Sequence, residues 1–480
     1  MNLTLNKLTT DFEPGIDNNL LPELPTKSII IKPKNIATPI TKKEMIFLRI
    51  INNNIKPPEI DTLKNISYKS INDKQHKFKQ LYKLLYSEEL MFTATSNMIT
   101  KIGATTKGIN MDTSDALTLK KIYLIISKLK NNNFTFNPIK RLYISKLGKD
   151  KDFDLKTQKL FQKNQLTKEK LKELKARPLG ILTFSDKIVS EGIRIILNAI
   201  YEPEFSQLNC SFGYRPNIGV QEAIRNHTKL AKAHNYMIEA DITGAFDNVN
   251  HEKLISILTN KIDDEKFINL IKKALESGIC YCGQFFNTKI GTTQGSPLSP
   301  ILYNIYFHEF DKFITKDFFY YIQELNHKEN RIDTAKNPLW VKITKEKSKI
   351  KRQISLKNLI NAYSQFGKNS IEFLKSKTEW ELIRQKYNLL DKKQKTLQCI
   401  NAKRKTIKYT YTRYADDWIF SSNCSIERMQ EFKQLFSDWL SNNLFLELSK
   451  QKTIITKLSL QKHNKTQEKA KFLGYTLTYY

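Results

Sequence analysis

Acidic side chains are scarce: 48 Asp and Glu stand against 79 Lys and Arg in 480 residues, a formal charge of +31. A surplus that large exceeds what solubility needs and points to a polyanionic partner, nucleic acid first. Cysteine is scarcer still. Cys210, Cys280, Cys282, Cys399 and Cys424 include no C-x2-C pair, which excludes the spacing of a structural zinc site and makes a reducing compartment the expected setting. Cys280 and Cys282 read as two residues on one face of a strand. No apolar run is long enough to span a bilayer and no basic amphipathic anchor is seen, so no membrane partner is expected. The opening "MNLTLNKLTTDFEPGIDNNL" has acids, no Arg and no apolar h-region, so neither a secretory signal nor a transit peptide is read there. At 40% hydrophobic residues the chain has material for two or three subdomains with cores, and disorder as a class is excluded.

What is present is organised in blocks. Residues 1–75, rich in Asn, Lys, Ile and Pro, have weak periodicity and read as a loosely structured extension. Helix spacing begins in "KFKQLYKLLYSEELMFTATSNMI" and returns in "DALTLKKIYLIISKLK", whose Ile122, Ile125, Ile126 and Leu129 form a stripe. "FNPIKRLYISK" reads as a basic strand, and the charged run after it as solvated helix. In "NYMIEADITGAFDNVNHEKLISIL" the period becomes two and stops near Gly244, so Asp241 sits where a strand ends; Asn250 suits the N-cap of the next helix. "GTTQGSPLSPILYNIYFHEFD" reads as a polar turn and a helix start, with Ser296 as N-cap and Pro297 at the first position. Between Phe313 and Lys408, 23 Lys and Arg face 9 Asp and Glu, so a fifth of the chain carries nearly half the excess charge. Such a run is either a solvated helical insertion or, beside acidic strands, an RNA contact.

"RYADDWIF" poses the chemical question, because Asp416 and Asp417 adjoin in an otherwise strand-like run. Asp-Asp alone is ordinary turn chemistry. Joined by Asp241 from another strand end, three carboxylates could hold two Mg2+ ions roughly 3.5 to 4 Å apart for in-line phosphoryl transfer. Mg2+ prefers carboxylate and phosphate oxygens, so no His or Cys is required.

In order along the chain, "IEADITGAFDNV", "TTQGSPLSP" and "RYADDWIF" resemble motifs A, B and C of a reverse transcriptase palm. "KARPLGILTFSDKIV" and "FSQLNCSFGYRP" resemble the fingers and palm-entry blocks, "KFLGYTL" the primer grip. The block "LYKLLYSEELMFTATSNMITKIGATTKGINMDTSDALTLKKI" is similar to the N-terminal block of group II intron-encoded reverse transcriptases, the maturases. The resemblance implies an α+β right-hand polymerase fold with mainly helical fingers and an antiparallel palm. Residues 76–200 would be the N-terminal block and fingers, 201–312 the first part of the palm, 313–408 a basic insertion, and 409–480 the rest of the palm. Asp241, Asp416 and Asp417 match the catalytic metal-binding acids, and the Ile242 carbonyl a further ligand, for two Mg2+ ions with Mn2+ as substitute. Phe246 matches an aromatic steric gate against a 2'-hydroxyl, although its spacing alone reads equally as a core residue. Gln294 and Gly295 match nucleotide contacts, Lys175 and Arg177 triphosphate clamps, Lys452 a general acid for the leaving pyrophosphate, and Phe472, Leu473, Gly474 and Tyr475 the primer grip.

The implied activity is RNA-directed DNA synthesis by a group II intron protein that also binds and helps splice its intron RNA. Its partners would be intron RNA, an RNA template with DNA primer, and dNTPs. The alternative is a catalytically idle RNA-binding splicing maturase. Family members continue into a helical thumb, domain X, and often an endonuclease module. This chain ends at Tyr480, so a thumb from a separate polypeptide is one expectation. The Lys, Asn and Ile bias resembles products of AT-rich genomes. A mitochondrial, organelle-encoded protein is therefore expected, with plastid or bacterial cytoplasm as the alternatives.

Overall fold

The structure, a computed structural model, describes residues 3–7, 60–147, 152–232, 234–331, 336–353, 357–397, 399, 405–458 and 469–479. Most of the extension expected over 1–75 lies outside the described residues. Its last part is ordered. Asp61–Asn72 is a helix held to the long helix Phe184–Leu208 by Ser67 Oγ donating to the Ala199 carbonyl at 2.9 Å and Ser70 Oγ to that of Ile200 at 2.6 Å. A partly polar inner face, spaced by serines rather than leucines, hides this helix from an apolar-periodicity reading.

The chain divides into two compact units, Lys316–Lys408 and the remainder. In the larger unit, β1 (Leu3–Lys7) pairs with a C-terminal hairpin described below. β2 (Ile139–Ser145) and β3 (Ala176–Ile181) form an antiparallel ribbon. Two helices, Phe153–Gln162 and Lys168–Glu173, fill the charged run between them. β4 (Tyr236–Ala240) belongs to a separate sheet. β5 (Ile279–Tyr281) and β6 (Gln284–Phe286) extend the β2–β3 ribbon into a sheet of order β3-β2-β5-β6. Cys280 lies in β5, but Cys282 is in the turn after it with φ +49°, so the two do not share a strand face.

β7 (Tyr409–Tyr414), β8 (Asp417–Ser422) and β9 (Ile454–Lys457) complete the central sheet, of order β7-β8-β4-β9. β10 (Ala470–Phe472) and β11 (Tyr475–Tyr479) form the terminal hairpin. One face of the central sheet packs Trp418, Phe420 and Tyr411 against Phe310 of helix Ser299–Lys312 and Phe432 and Phe436 of helix Ile426–Leu444. Its other face sets Met237 and Ile419 against Ala223 and Ile224 of helix Val220–Leu230 and against Ala470, Phe472 and Leu477 of the hairpin. Period-2 alternation with both faces covered is what fixes the register.

Helix Ser299–Lys312 starts two residues later than Ser296 as N-cap would place it. Leu298 is the cap without a side-chain bond, and Pro300 rather than Pro297 occupies the first turn. Ser296 Oγ instead accepts from the Leu298 N–H at 3.3 Å, a local turn that competes with capping. Asn250 does cap its helix, accepting from the Lys253 N–H at 2.9 Å.

The unit Lys316–Lys408 is helical, with Phe318–Lys328, Pro338–Gln353, Lys357–Phe366 and Ile371–Thr396. Polar contacts join its helices. Lys347 Nζ meets Asp391 at 2.5 Å and lies 5.1 Å from the Tyr387 ring centre, and Gln394 Nε2 donates to Thr344 Oγ1 at 2.6 Å. The 26-residue helix Ile371–Thr396 buries none of its residues. No described helix of either unit is long and apolar enough to cross a membrane.

Candidate active site

Antiparallel register sets the site. β4 and β8 pair Ile238 with Phe420 and Ala240 with Trp418, so continuing one residue brings Asp241 beside Asp417 on the same face. Cross-strand neighbours of this kind have Cβ atoms about 4.5–5.5 Å apart. Asp416 occupies the β7–β8 turn after Ala415, whose φ of +59° lets the chain reverse within two residues. The segment after Asp241 is stitched to the chain before β9. Thr243 N–H donates to the Glu447 carbonyl and Ser449 N–H to that of Asp241, both at 2.9 Å. These bonds flank Ile242, whose own carbonyl takes part in neither.

The same segment delivers Lys452, whose Nζ donates to Asp241 Oδ2 at 2.8 Å. That bond raises the ammonium's pKa against the opposing effect of burial. Burial pushes the Asp416 carboxyl up, Asp241 adds to the effect, and Lys452 and Arg177 oppose it. Asp417 is pushed up to about 6, first by burial and then by the charges of Asp416 and Asp241. Such mutual repulsion is what a cation relieves. Asp241, Asp417 and Lys452 line a cleft of about 320 Å³ together with Lys471 and the β10–β11 turn with Phe472, Leu473 and Gly474. Leu473 and Gly474 have φ of +52° and +81°, the signature of a tight hairpin turn, while Phe472 is buried and pairs with Tyr475.

Among the described residues no three His, Cys, Asp or Glu close on one point as a finished metal cage. The donors of Asp241, Asp416 and Asp417 are all oxygens and mutually repelling, and Asp241 and Asp417 line the cleft. That suits a hard cation that completes its shell with water and substrate phosphates rather than one enclosed by protein.

The nucleotide-side candidates gather on β3 and the loop that meets it. Arg177 Nε donates to Gln294 Oε1 at 3.0 Å, and the Gln294 carbonyl accepts from the Gly180 N–H at 2.7 Å. Gly295, at φ +111°, has no room for a side chain, since a Cβ there would lie 2.4 Å from the Gly180 carbonyl oxygen. Phe246 is half-buried, its ring 4.8 Å from Tyr303 and 6.2 Å from Tyr214. Lys175 stands apart. Its carbonyl accepts from the Lys146 N–H, and its exposed side chain has no hydrogen bond or ion pair among the described residues.

Three residues here escape a reading by motif. Tyr214 touches Phe246, and its hydroxyl pKa is raised by burial and by Asp416. Asp247 is pushed up by burial, with Arg141 of β2 opposing. "FSQLNCSFGYRP" contains Tyr214 and "FNPIKRLYISK" contains Arg141, but their partners lie well outside these blocks in sequence.

The family model for reverse transcriptase (RNA-dependent DNA polymerase) matches residues 161–331, a stretch that holds Asp241, Phe246 and Gln294. The group II intron-encoded protein LtrA of Lactococcus lactis subsp. cremoris is 33% identical over 420 residues, 88% of this chain and 60% of that protein. The uncharacterized 91 kDa protein in cob intron of Schizosaccharomyces pombe is 31% identical over 84% of this chain and 42% of that protein. The putative COX1/OXI3 intron 2 protein of Saccharomyces cerevisiae is 25% identical over 82% of this chain and 38% of that protein. The chain thus spans between about two fifths and three fifths of the length of these relatives. The α+β architecture is the reverse transcriptase fold, and over most of its length the chain is similar to group II intron-encoded proteins.

Proposed function

We propose that this protein is an RNA-directed DNA polymerase of a group II intron, and that it also binds its intron RNA and promotes its splicing. The observation that carries the reading is the register of β4 against β8, which brings Asp241 to Asp417 at the mouth of a cleft bounded by the β10–β11 hairpin. Asp241, Asp416, Asp417 and the Ile242 carbonyl would hold two Mg2+ ions, or Mn2+ in their place. Such cations acidify a primer 3'-hydroxyl and offset charge on the triphosphate.

The chain's own residues do the rest. Phe472, Leu473, Gly474 and Tyr475 orient the primer end across the cleft from the acids. Arg177 and, from the turn before β3, Lys175 bind the triphosphate, and Gln294 with Gly295 lets the nucleotide approach the backbone. Phe246, braced by Tyr303, excludes a 2'-hydroxyl. Lys452, held at Asp241, donates a proton to departing pyrophosphate. Splicing help requires only tighter binding to the folded intron than to its alternatives. The partners proposed are intron RNA, an RNA template with DNA primer, and dNTPs. The setting proposed is the mitochondrion, with a bacterial cytoplasm as the other option. Relatives named for introns of cob and COX1/OXI3 support the first and the Lactococcus protein the second.

Primer extension on poly(rA) with oligo(dT) tests the reading. Asp416→Ala is expected to abolish extension while RNA binding stays within twofold, roughly, of the parent chain. Extension that survives the substitution removes Asp416 from the mechanism. A parent chain inert with Mg2+ and Mn2+ leaves only the RNA-binding role.

A further inference from the structure

The acid-bearing turn rests on a buried ion pair that no motif reading singles out. Arg413, the last inward residue of β7, and Asp311, near the end of helix Ser299–Lys312, are both fully buried. Arg413 Nε donates to Asp311 Oδ1 at 2.9 Å and Nη2 to Oδ2 at 2.6 Å, a bidentate fork. Its remaining nitrogen, Nη1, donates to Asn304 Oδ1 and to the Ala415 carbonyl, each at 3.0 Å. Asn304 in turn donates to the Gly213 carbonyl at 2.8 Å. Gly213 lies so close under the turn that a Cβ there would be 2.4 Å from the Ala415 nitrogen. Tyr411 Oη, at 2.9 Å, and His308 Nδ1, at 3.3 Å, complete the shell around the Asp311 carboxylate. Burial pushes that carboxyl up, but Arg413 and His308 outweigh it and hold it well below the usual range.

We infer that Arg413 and Asp311 are positioning residues: their buried fork fixes the Ala415 carbonyl and thereby the place of Asp416 in the cation-binding set. The inference rests on the proposed assignment of Asp416 to that set. Its physical basis is a mismatch between cost and gain. Burying two charges is expensive, and apolar residues of similar volume often replace a buried pair with no loss of stability or some gain. A pair that gains little stability but commits a hydrogen bond to the carbonyl adjoining Asp416 has geometric precision as its return. Ala415 needs such support because it holds a positive φ without being glycine.

The test compares the parent chain with Asp311→Leu/Arg413→Met, which removes both charges at once, and with Arg413→Lys, which keeps a cation against Asp311 but cannot fork and reach Ala415 together. Mn2+ affinity is read by electron paramagnetic resonance on protein without nucleic acid, and kcat and KM for dTTP by primer extension. Both variants are expected to lose Mn2+ affinity and kcat about 10- to 100-fold, the range for residues that orient ligands from behind, with KM within twofold. Parent-level Mn2+ affinity and kcat in the double variant overturn the inference. Should that chain not fold, Arg413→Lys decides on the same two outcomes. The Mn2+ arm separates this idea from the polymerase reading. Weakened Mn2+ binding in a chain whose parent extends no primer would uphold the positioning role while the polymerase reading falls.

Discussion

The strands around Asp417 and the helix Ile371–Thr396 are equally regular, yet they are built on opposite principles. In β7 and β8, Arg413, Trp418, Ile419 and Phe420 are 0–1% exposed, enclosed by packed faces and, for Arg413, by specified hydrogen-bond partners. The helix buries nothing, and it presents Tyr387 and Asp391 to Lys347 of helix Pro338–Gln353 while Ile371, Leu382 and Leu389 stand in solvent. Its unit lies in the span Phe313–Lys408, which carries an excess of 14 positive charges. Chemistry on a primer end needs carboxylates placed to fractions of an ångström, which requires a packed, over-determined surround. Attraction to a phosphate backbone needs only charge at roughly the right spacing.

The sharpest way to break that contrast is to cut into the packed side. Trp418→Ala removes a fully enclosed ring in contact with Phe310, Tyr411 and Phe436, and it is expected to cost about 3–5 kcal/mol in chemical denaturation. A loss below about 1 kcal/mol would show the sheet to be far looser than described. The smaller effect lies on the basic side. Replacing exposed Lys375, Lys377, Lys386 and Lys392 together by Gln should weaken RNA binding and flatten its dependence on log salt by about 0.7 for each phosphate no longer neutralised. Extension on a short annealed primer-template should hardly change. An unaltered salt slope would make this unit a solvated appendage. Smallest of all, Leu382→Ala on the exposed face should stay within about 0.5 kcal/mol of the parent, and a larger loss would reveal a packed partner on that face.

Local chemistry is readable where a rule acts over a few residues. The strand that ends before Asp241, the Asn250 cap and the acid-bearing hairpin follow from period-2 spacing, capping geometry and turn residues. The cap expected at Ser296 fails because its hydroxyl has a nearer backbone donor, and Cys282 leaves its strand face because a left-handed turn follows β5 at once. Helix Asp61–Asn72 is hidden because its contacts to Phe184–Leu208 include two serine hydroxyls, which no hydrophobic pattern registers. For the candidate site, the three acids come from ordered motifs. The pairing of Arg177 with Gln294, the seat of Lys452 on Asp241 and the fork of Arg413 on Asp311 each join residues more than 100 positions apart. Such pairings are properties of the assembled fold.

A Mn2+ titration of the protein between pH 5 and 8 tests the account most directly, because it asks whether Asp241, Asp416 and Asp417 form one cation site. A carboxyl raised to about 6 is protonated below that pH, and a cation must displace the proton. Affinity should therefore climb about tenfold per pH unit up to pH 6 and level off above it, and fall sharply at pH 7 in both Asp241→Asn and Asp417→Asn. Binding that is flat across this range, or indifferent to either substitution, would contradict a shared site.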